Sequence, residues 1–138
     1  EANIHFARAI GAARSGDLAA ARAAVARLEA IKGSLSGYWA DQVEIQRLGA
    51  SAWVARAEKK DEEALKLAHE AAALEASTEK HPVTPGAIIP ARELLADLLL
   101  ELGQREEAKV ELAKVLKVSP GRRSAEQMVK AVEARSAY

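Results

Sequence analysis

The chain is predicted to be all-α: three antiparallel helix pairs followed by a C-terminal capping helix. Apolar residues recur at steps of three and four almost throughout, alanine dominates, and β-branched residues are thin. No stretch alternates apolar and polar residues for long enough to make a strand, and aromatics are only 4%. The periodic stretches are cut by short glycine-rich, proline-rich or polar breaks whose spacing repeats along the chain.

The first helix runs up to Ser15-Gly16-Asp17. The second carries one stripe, Leu18, Ala21, Val25 and Leu28, and ends in Lys32-Gly33-Ser34-Leu35-Ser36-Gly37. Tyr38 to Lys59 reads as one long third helix. After Lys59-Lys60-Asp61 the fourth places Ala64, Leu67, Ala68, Ala71 and Leu74 on one face. Pro82, Pro85 and Pro90 fix φ and push the preceding residue out of the helical region, so this helix must end before about His81. The fifth helix then starts either with Thr84 as cap and Pro85 in its first turn, or nearer Pro90, where a missing N–H is harmless. It runs to Leu102-Gly103-Gln104. The sixth carries Ala108, Leu112, Val115 and Leu116 and stops at Ser119-Pro120-Gly121. In the seventh, Ala125, Met128, Val129 and Val132 form the inner stripe, with Arg123, Glu126, Lys130 and Glu133 outward.

The breaks are related to one another. RSGDLAAARAAVARL (14–28), EKKDEEALKLAHEAA (58–72) and ELGQREEAKVELAKV (101–115) each show a polar turn, a small Ala a fixed distance on, and an apolar residue four later. The aligned alanines, Ala21, Ala64 and Ala108, stand 43 and 44 residues apart. Helices joined by so short a turn pack antiparallel at roughly 8–10 Å, and a small residue at the crossing permits that approach. Gly16 and Gly103 suit the left-handed residue that ends a helix, and Lys59 at the same place is the poorer cap.

LLADLLLELGQREEAKVELAKVLKVSP resembles a tetratricopeptide repeat: Gly103 at the turn, Ala108 at the small position of the second helix, Leu112 and Val115 on the packing face, Pro120 at the end. The match covers 89–120. The first repeat keeps Gly16 and Ala21 without a terminal proline, and the second has Lys59 for glycine. Steps of 43 and 44 exceed the usual length of roughly 34, so longer helices or joints are implied. The resemblance implies a right-handed solenoid forming one domain over 1–138, with repeat one at 2–33, repeat two at 37–79, a joint at 80–87, repeat three at 88–120 and a capping helix at 121–137. The whole also resembles the C-terminal repeat regions of larger bacterial proteins.

Composition bounds the function. A length of 138 residues, 49% apolar and 29% charged, suits one domain with a real core. Lys+Arg and Asp+Glu are both 20, so no summed field draws in nucleic acid or an anionic membrane. No apolar run spans a membrane, and Leu94 to Leu102 is broken by Asp97 and Glu101. The absence of cysteine is compatible with cytoplasm and periplasm alike. The first residue is Glu1 rather than Met, which leaves open a removed leader, anchor or further domain.

Chemistry-bearing patterns are sparse. His5, His69 and His81 make no HExxH motif and no i, i+4 pair, so no metal is expected. Glu62, Glu63, Glu106 and Glu107 lie in first turns, where they favour the helix dipole. Ser34, Ser36 and Ser51 have no histidine near in sequence, and no glycine loop cradles phosphate. The expectation is a non-catalytic protein that needs no cofactor.

The family resemblance implies a concave groove lined by the first helix of each pair and occupied by a protein or peptide. Carried over by position, it would show Asn3, Phe6, Ile10 and Arg14, then Gln46, Gly49, Trp53 and Arg56, then Pro90, Glu93 and Asp97. Asn3 is the only asparagine, so the Lys and Asn pairs of the family's chaperone-tail clamp are missing. Trp53 and Arg56 are of the types that dominate binding hot spots. The alternative at this position is a core Trp53 beside small Ala52 and Ala55, with Arg56 snorkelling outward. The alternative for the whole chain is a structural or homodimerising module that supports a further N-terminal domain. For the proline joint, a stiffened connection and a loop folded over the groove are the two readings.

Overall fold

The computed structural model describes residues 1–78 and 87–136, the last by its backbone alone. The described residues form seven helices in order: α1 (Ala2–Ser15), α2 (Leu18–Gly33), α3 (Gly37–Ala57), α4 (Asp61–Ser77), α5 (Ala91–Glu101), α6 (Arg105–Val118) and α7 (Arg123–Ser136). Among the described residues there is no strand, and the chain is all-α. The start of a helix at Thr84–Pro85 falls outside the described residues, as does most of the joint. α5 begins at Ala91, with Pro90 as its N-cap at φ −55°.

Three turns repeat one geometry. Gly16, Lys59 and Gly103 all have left-handed φ, at 86°, 62° and 79°. In each, the next residue donates its N–H to the carbonyl five positions back: Asp17 to Ala12, Lys60 to Ala55, Gln104 to Leu99, all at 2.9 Å. That closes the preceding helix in a Schellman motif. The same residue then opens the following helix, its carbonyl accepting from the N–H of Ala21, Ala64 or Ala108. The alanines aligned by sequence are therefore equivalent in structure, and all three are fully buried. Lys59 adopts a conformation that glycine reaches without strain and other L-residues reach at a cost of roughly 1–2 kcal/mol.

Each helix packs on the next, and α1 also packs on α3, and α3 on α5. One core extends from Phe6, Ile10 and Leu28 through Leu48 and Trp53 to Leu95, Leu98 and Leu99. A second, smaller core, with Ala96, Leu112, Val115 and Ala125, seats α7. Alanine is frequent in both because small side chains let neighbouring helices approach closely. Gly49 carries this furthest: a Cβ there would stand 3.1 Å from Leu94 Cδ2 and 3.7 Å from Phe6 Cε2, so α3 meets both α1 and α5 at this glycine.

Ion pairs fasten the outer contacts. Glu44 of α3 meets Arg47 at 2.7 Å and Lys32 of α2 at 2.9 Å, and Arg47 meets Glu29 at 2.9 Å. The Arg47 hydrogen bonds, aided by Lys32, outweigh burial and hold the Glu44 carboxyl down to about 2. Between α5 and α6, burial works to raise Glu111, but Arg92 and Lys114 prevail and its pKa is lowered. Arg122, just before α7, bonds the buried Glu93 of α5 and the Ile88 carbonyl.

Candidate functional site

The odd-numbered helices α1, α3 and α5 touch one another in sequence and bring together most of the residues expected to line a groove. Their positions separate them into two groups. Phe6, Ile10, Trp53 and Glu93 are buried, Trp53 to 2% exposure. They lie beneath the surface, so the core placement is the one Trp53 adopts. Arg14, Gln46, Arg56 and Asp97 reach the surface of the same three helices.

At the C-terminal ends of α1 and α3 the charges close on themselves. Arg14 lies with its guanidinium carbon 4.6 Å from the Trp53 ring centre and donates to Asp97 Oδ2 at 2.9 Å. Its other terminal nitrogen is 3.8 Å from Glu101 Oε1. Arg56 meets Asp61 at 3.0 Å, and its Nε is 3.6 Å from Glu101 Oε2. Two cations and three carboxylates thus answer one another around an open depression lined by Ala13, Arg14, Trp53, Arg56, Ala57 and Glu101. The cluster ties α1, α3 and α5 together.

The other end of the same face is open and apolar. A cavity of about 260 Å³ lies between the start of α3, the approach to α5 and the side of α1. Tyr38 and Trp39 pack edge to face with centroids 5.2 Å apart. Trp39 is 52% exposed and Ile88 60%, whereas Phe6 and Leu94, which close the cavity from within, are buried. Gln42, Gln46 and Asn3 supply amide groups, and Gln46 Nε2 donates to Asn3 Oδ1 at 2.6 Å. Among the described residues the single charged side chain in the lining is Glu75, from the end of α4. Both its carboxylate oxygens accept the Ala91 N–H, at 3.1 and 3.0 Å, so it caps α5 from a neighbouring helix where Pro90 cannot. Burial raises the Glu75 carboxyl, against the pull of that N–H and of Arg92 and Arg122.

Tyr38, Trp39, Glu75 and Ile88 were not among the residues the sequence singled out. A signal for the first two was available. Gln46, Gly49, Trp53 and Arg56 follow steps of three and four, and the same steps taken backwards reach Gln42 and Trp39. Two of the chain's aromatics are also adjacent there. Glu75 and Ile88 meet the others only through the packing of α4 on α5, which no local pattern announces.

His69 is exposed on α4, and His5 lies 3.9 Å from Glu1, while His81 is outside the described residues. Among the described residues no group of three His, Cys, Asp or Glu side chains is placed to hold a metal ion. None of the described helices is long and apolar enough to cross a membrane. Comparison with protein-family models, with curated proteins and with solved structures finds no match to this chain.

Proposed function

We infer that the chain is a non-catalytic binding scaffold, a right-handed tetratricopeptide-like solenoid of three antiparallel helix pairs whose inner helices α1, α3 and α5 receive a peptide or partner helix. The three equivalent turns and the α1–α3 and α3–α5 contacts support the repeat architecture, since stacked helix pairs bring every second helix onto one face. The observation that carries the binding reading is the cavity at Trp39. It combines exposed aromatic and aliphatic surface with amide groups able to read a backbone. Because Trp53 is buried and Arg56 already paired, the anchor of such a peptide belongs at Trp39.

Selection of phage-displayed dodecapeptides on the folded domain tests this. The expected result is a shared motif whose members bind wild type and lose about tenfold or more in affinity for Trp39→Ala, with an unchanged melting temperature. No shared motif, or equal binding to Trp39→Ala, would overturn it. The second reading, a homodimerising module, rests on Val110 and Val118 of α6, exposed at 54% and 84%. On that reading sedimentation shows a dimer that Val118→Glu makes monomeric.

A further inference from the structure

The cavity at the start of α3 has a charge character that the general binding reading leaves unused. Among the described residues its lining is aromatic, aliphatic and amide apart from one carboxylate, Glu75, with no lysine or arginine. The cations that act on Glu75, among the described residues, are committed elsewhere: Arg92 to Glu111, Arg122 to Glu93 and the Ile88 carbonyl. Among the described residues no cation stands within ion-pair distance of Glu75, whose contact is the Ala91 N–H. A carboxylate has about four lone-pair directions, so one N–H leaves room for further donors. An anion or acidic side chain in this cavity would face Glu75 and meet no cation among the described lining residues.

Resting on the peptide-binding reading above, we propose that this cavity recognises a basic side chain of the bound peptide, arginine in preference to lysine. Its stem lies along Ile88 and Leu94 beside Tyr38, and its head group is placed between the exposed Trp39 ring and the Glu75 carboxylate. Aliphatic stems of basic residues cover apolar surface while the head group seeks a polar partner. An aromatic ring and a carboxylate at one site suit a cation, the ring through its negative face and the carboxylate through charge-assisted hydrogen bonds. The planar guanidinium can stack on indole and present a fork to the carboxylate at once, which an ammonium cannot. The size agrees: about 260 Å³ lies below the range of roughly 300–1,000 Å³ usual for small-molecule and cofactor sites and suits a single side chain. Burial, which raises the Glu75 carboxyl, also disfavours its unpaired charge, so an entering cation relieves that penalty.

Four capped pentapeptides, identical but for a central arginine, lysine, norleucine or glutamate flanked by glycines, serve as probes. The chain has two tryptophans, so the indole N–H signals of Trp39 and the buried Trp53 are separable by NMR in a labelled sample. The arginine peptide is expected to shift the Trp39 signal saturably, lysine more weakly, and norleucine about tenfold more weakly than arginine, as the loss of a charge-assisted hydrogen bond implies. Glutamate should leave it unmoved, and Glu75→Gln should remove the advantage of arginine over norleucine. Norleucine binding as well as arginine, or Glu75→Gln binding arginine like wild type, overturns the proposal and leaves the peptide-binding reading standing. Silence from all four peptides also overturns it, and the phage selection then decides the wider reading by itself. Should Glu75→Gln loosen α5, the lysine and norleucine peptides on the wild type decide, since they differ chiefly in the ammonium group.

Discussion

Arg14 stacks its guanidinium over the Trp53 ring at 4.6 Å, so the residue expected to greet a partner lies beneath another side chain. The two contribute differently to stability. Trp53 is 2% exposed, and Trp53→Ala should cost roughly 3–5 kcal/mol or prevent folding, as emptying a buried aromatic site does. Arg14 is half-exposed, and Arg14→Gln should cost no more than about 1 kcal/mol, the scale of an exposed cation–π contact with a surface ion pair. Urea unfolding of the two variants distinguishes the roles; similar losses would refute them.

Lys59 is the one described non-glycine residue with positive φ, and it stands where Gly16 and Gly103 stand in the other two equivalent turns. Lys59→Gly should stabilise the protein by about 1 kcal/mol by relieving the left-handed strain. Gly103→Ala should lose a similar amount, about 1 kcal/mol, for the same reason in reverse. Opposite shifts in melting temperature are the expected reading.

Ala108 is fully buried at the start of the third equivalent helix. Ala108→Leu should overpack the α5–α6 contact and cost roughly 1–3 kcal/mol, whereas Gln104→Ala in the adjacent turn should stay within about 0.5 kcal/mol. Equal melting shifts would remove the spacer argument.

Acid should weaken the α2–α3 contact in a defined window. The Glu44 carboxyl, drawn down by Arg47 first, sits at about 2 against an ordinary 4.5. Its folded value lies below its unfolded one, so its stabilisation is complete above about 4.5 and is lost as pH falls towards about 2, by about 1 kcal/mol for a half-buried pair. Glu75 has the opposite sign, because burial raises its carboxyl. Protonation therefore favours the folded state there, and the contribution fades as pH rises. Chemical denaturation between about pH 3 and about pH 7 should find Glu44→Gln converging on wild type in acid, and Glu75→Gln gaining on it towards neutrality.

Much of the architecture is local and could be read from residues in order. Helix identity follows from the three-and-four spacing of Leu18, Ala21, Val25 and Leu28 and its counterparts, since that period permits one apolar face only in a helix. The turns follow from Gly16 and Gly103, because few residues tolerate the left-handed region, and the misfit of Lys59 was legible by the same rule. The alignment of Ala21, Ala64 and Ala108 holds because each is bonded at its N–H to the residue that closes the preceding turn. The site was legible only in part. Periodicity places Gln46, Gly49, Trp53 and Arg56 on one side of α3, yet whether that side meets solvent depends on how closely α1 and α5 approach it. Gly49 lets them come near enough to cover Trp53, and beyond the reach of α1 and α5 the same stripe emerges at Trp39. Glu75 and Ala91, sixteen residues apart, meet because α4 packs on α5. Sequence determined the helices, their ends and the repeat, which depend on neighbours along the chain. Tertiary packing alone decided which residues of a shared stripe are core and which are surface, because burial is set by the distance of closest approach between helices far apart in sequence.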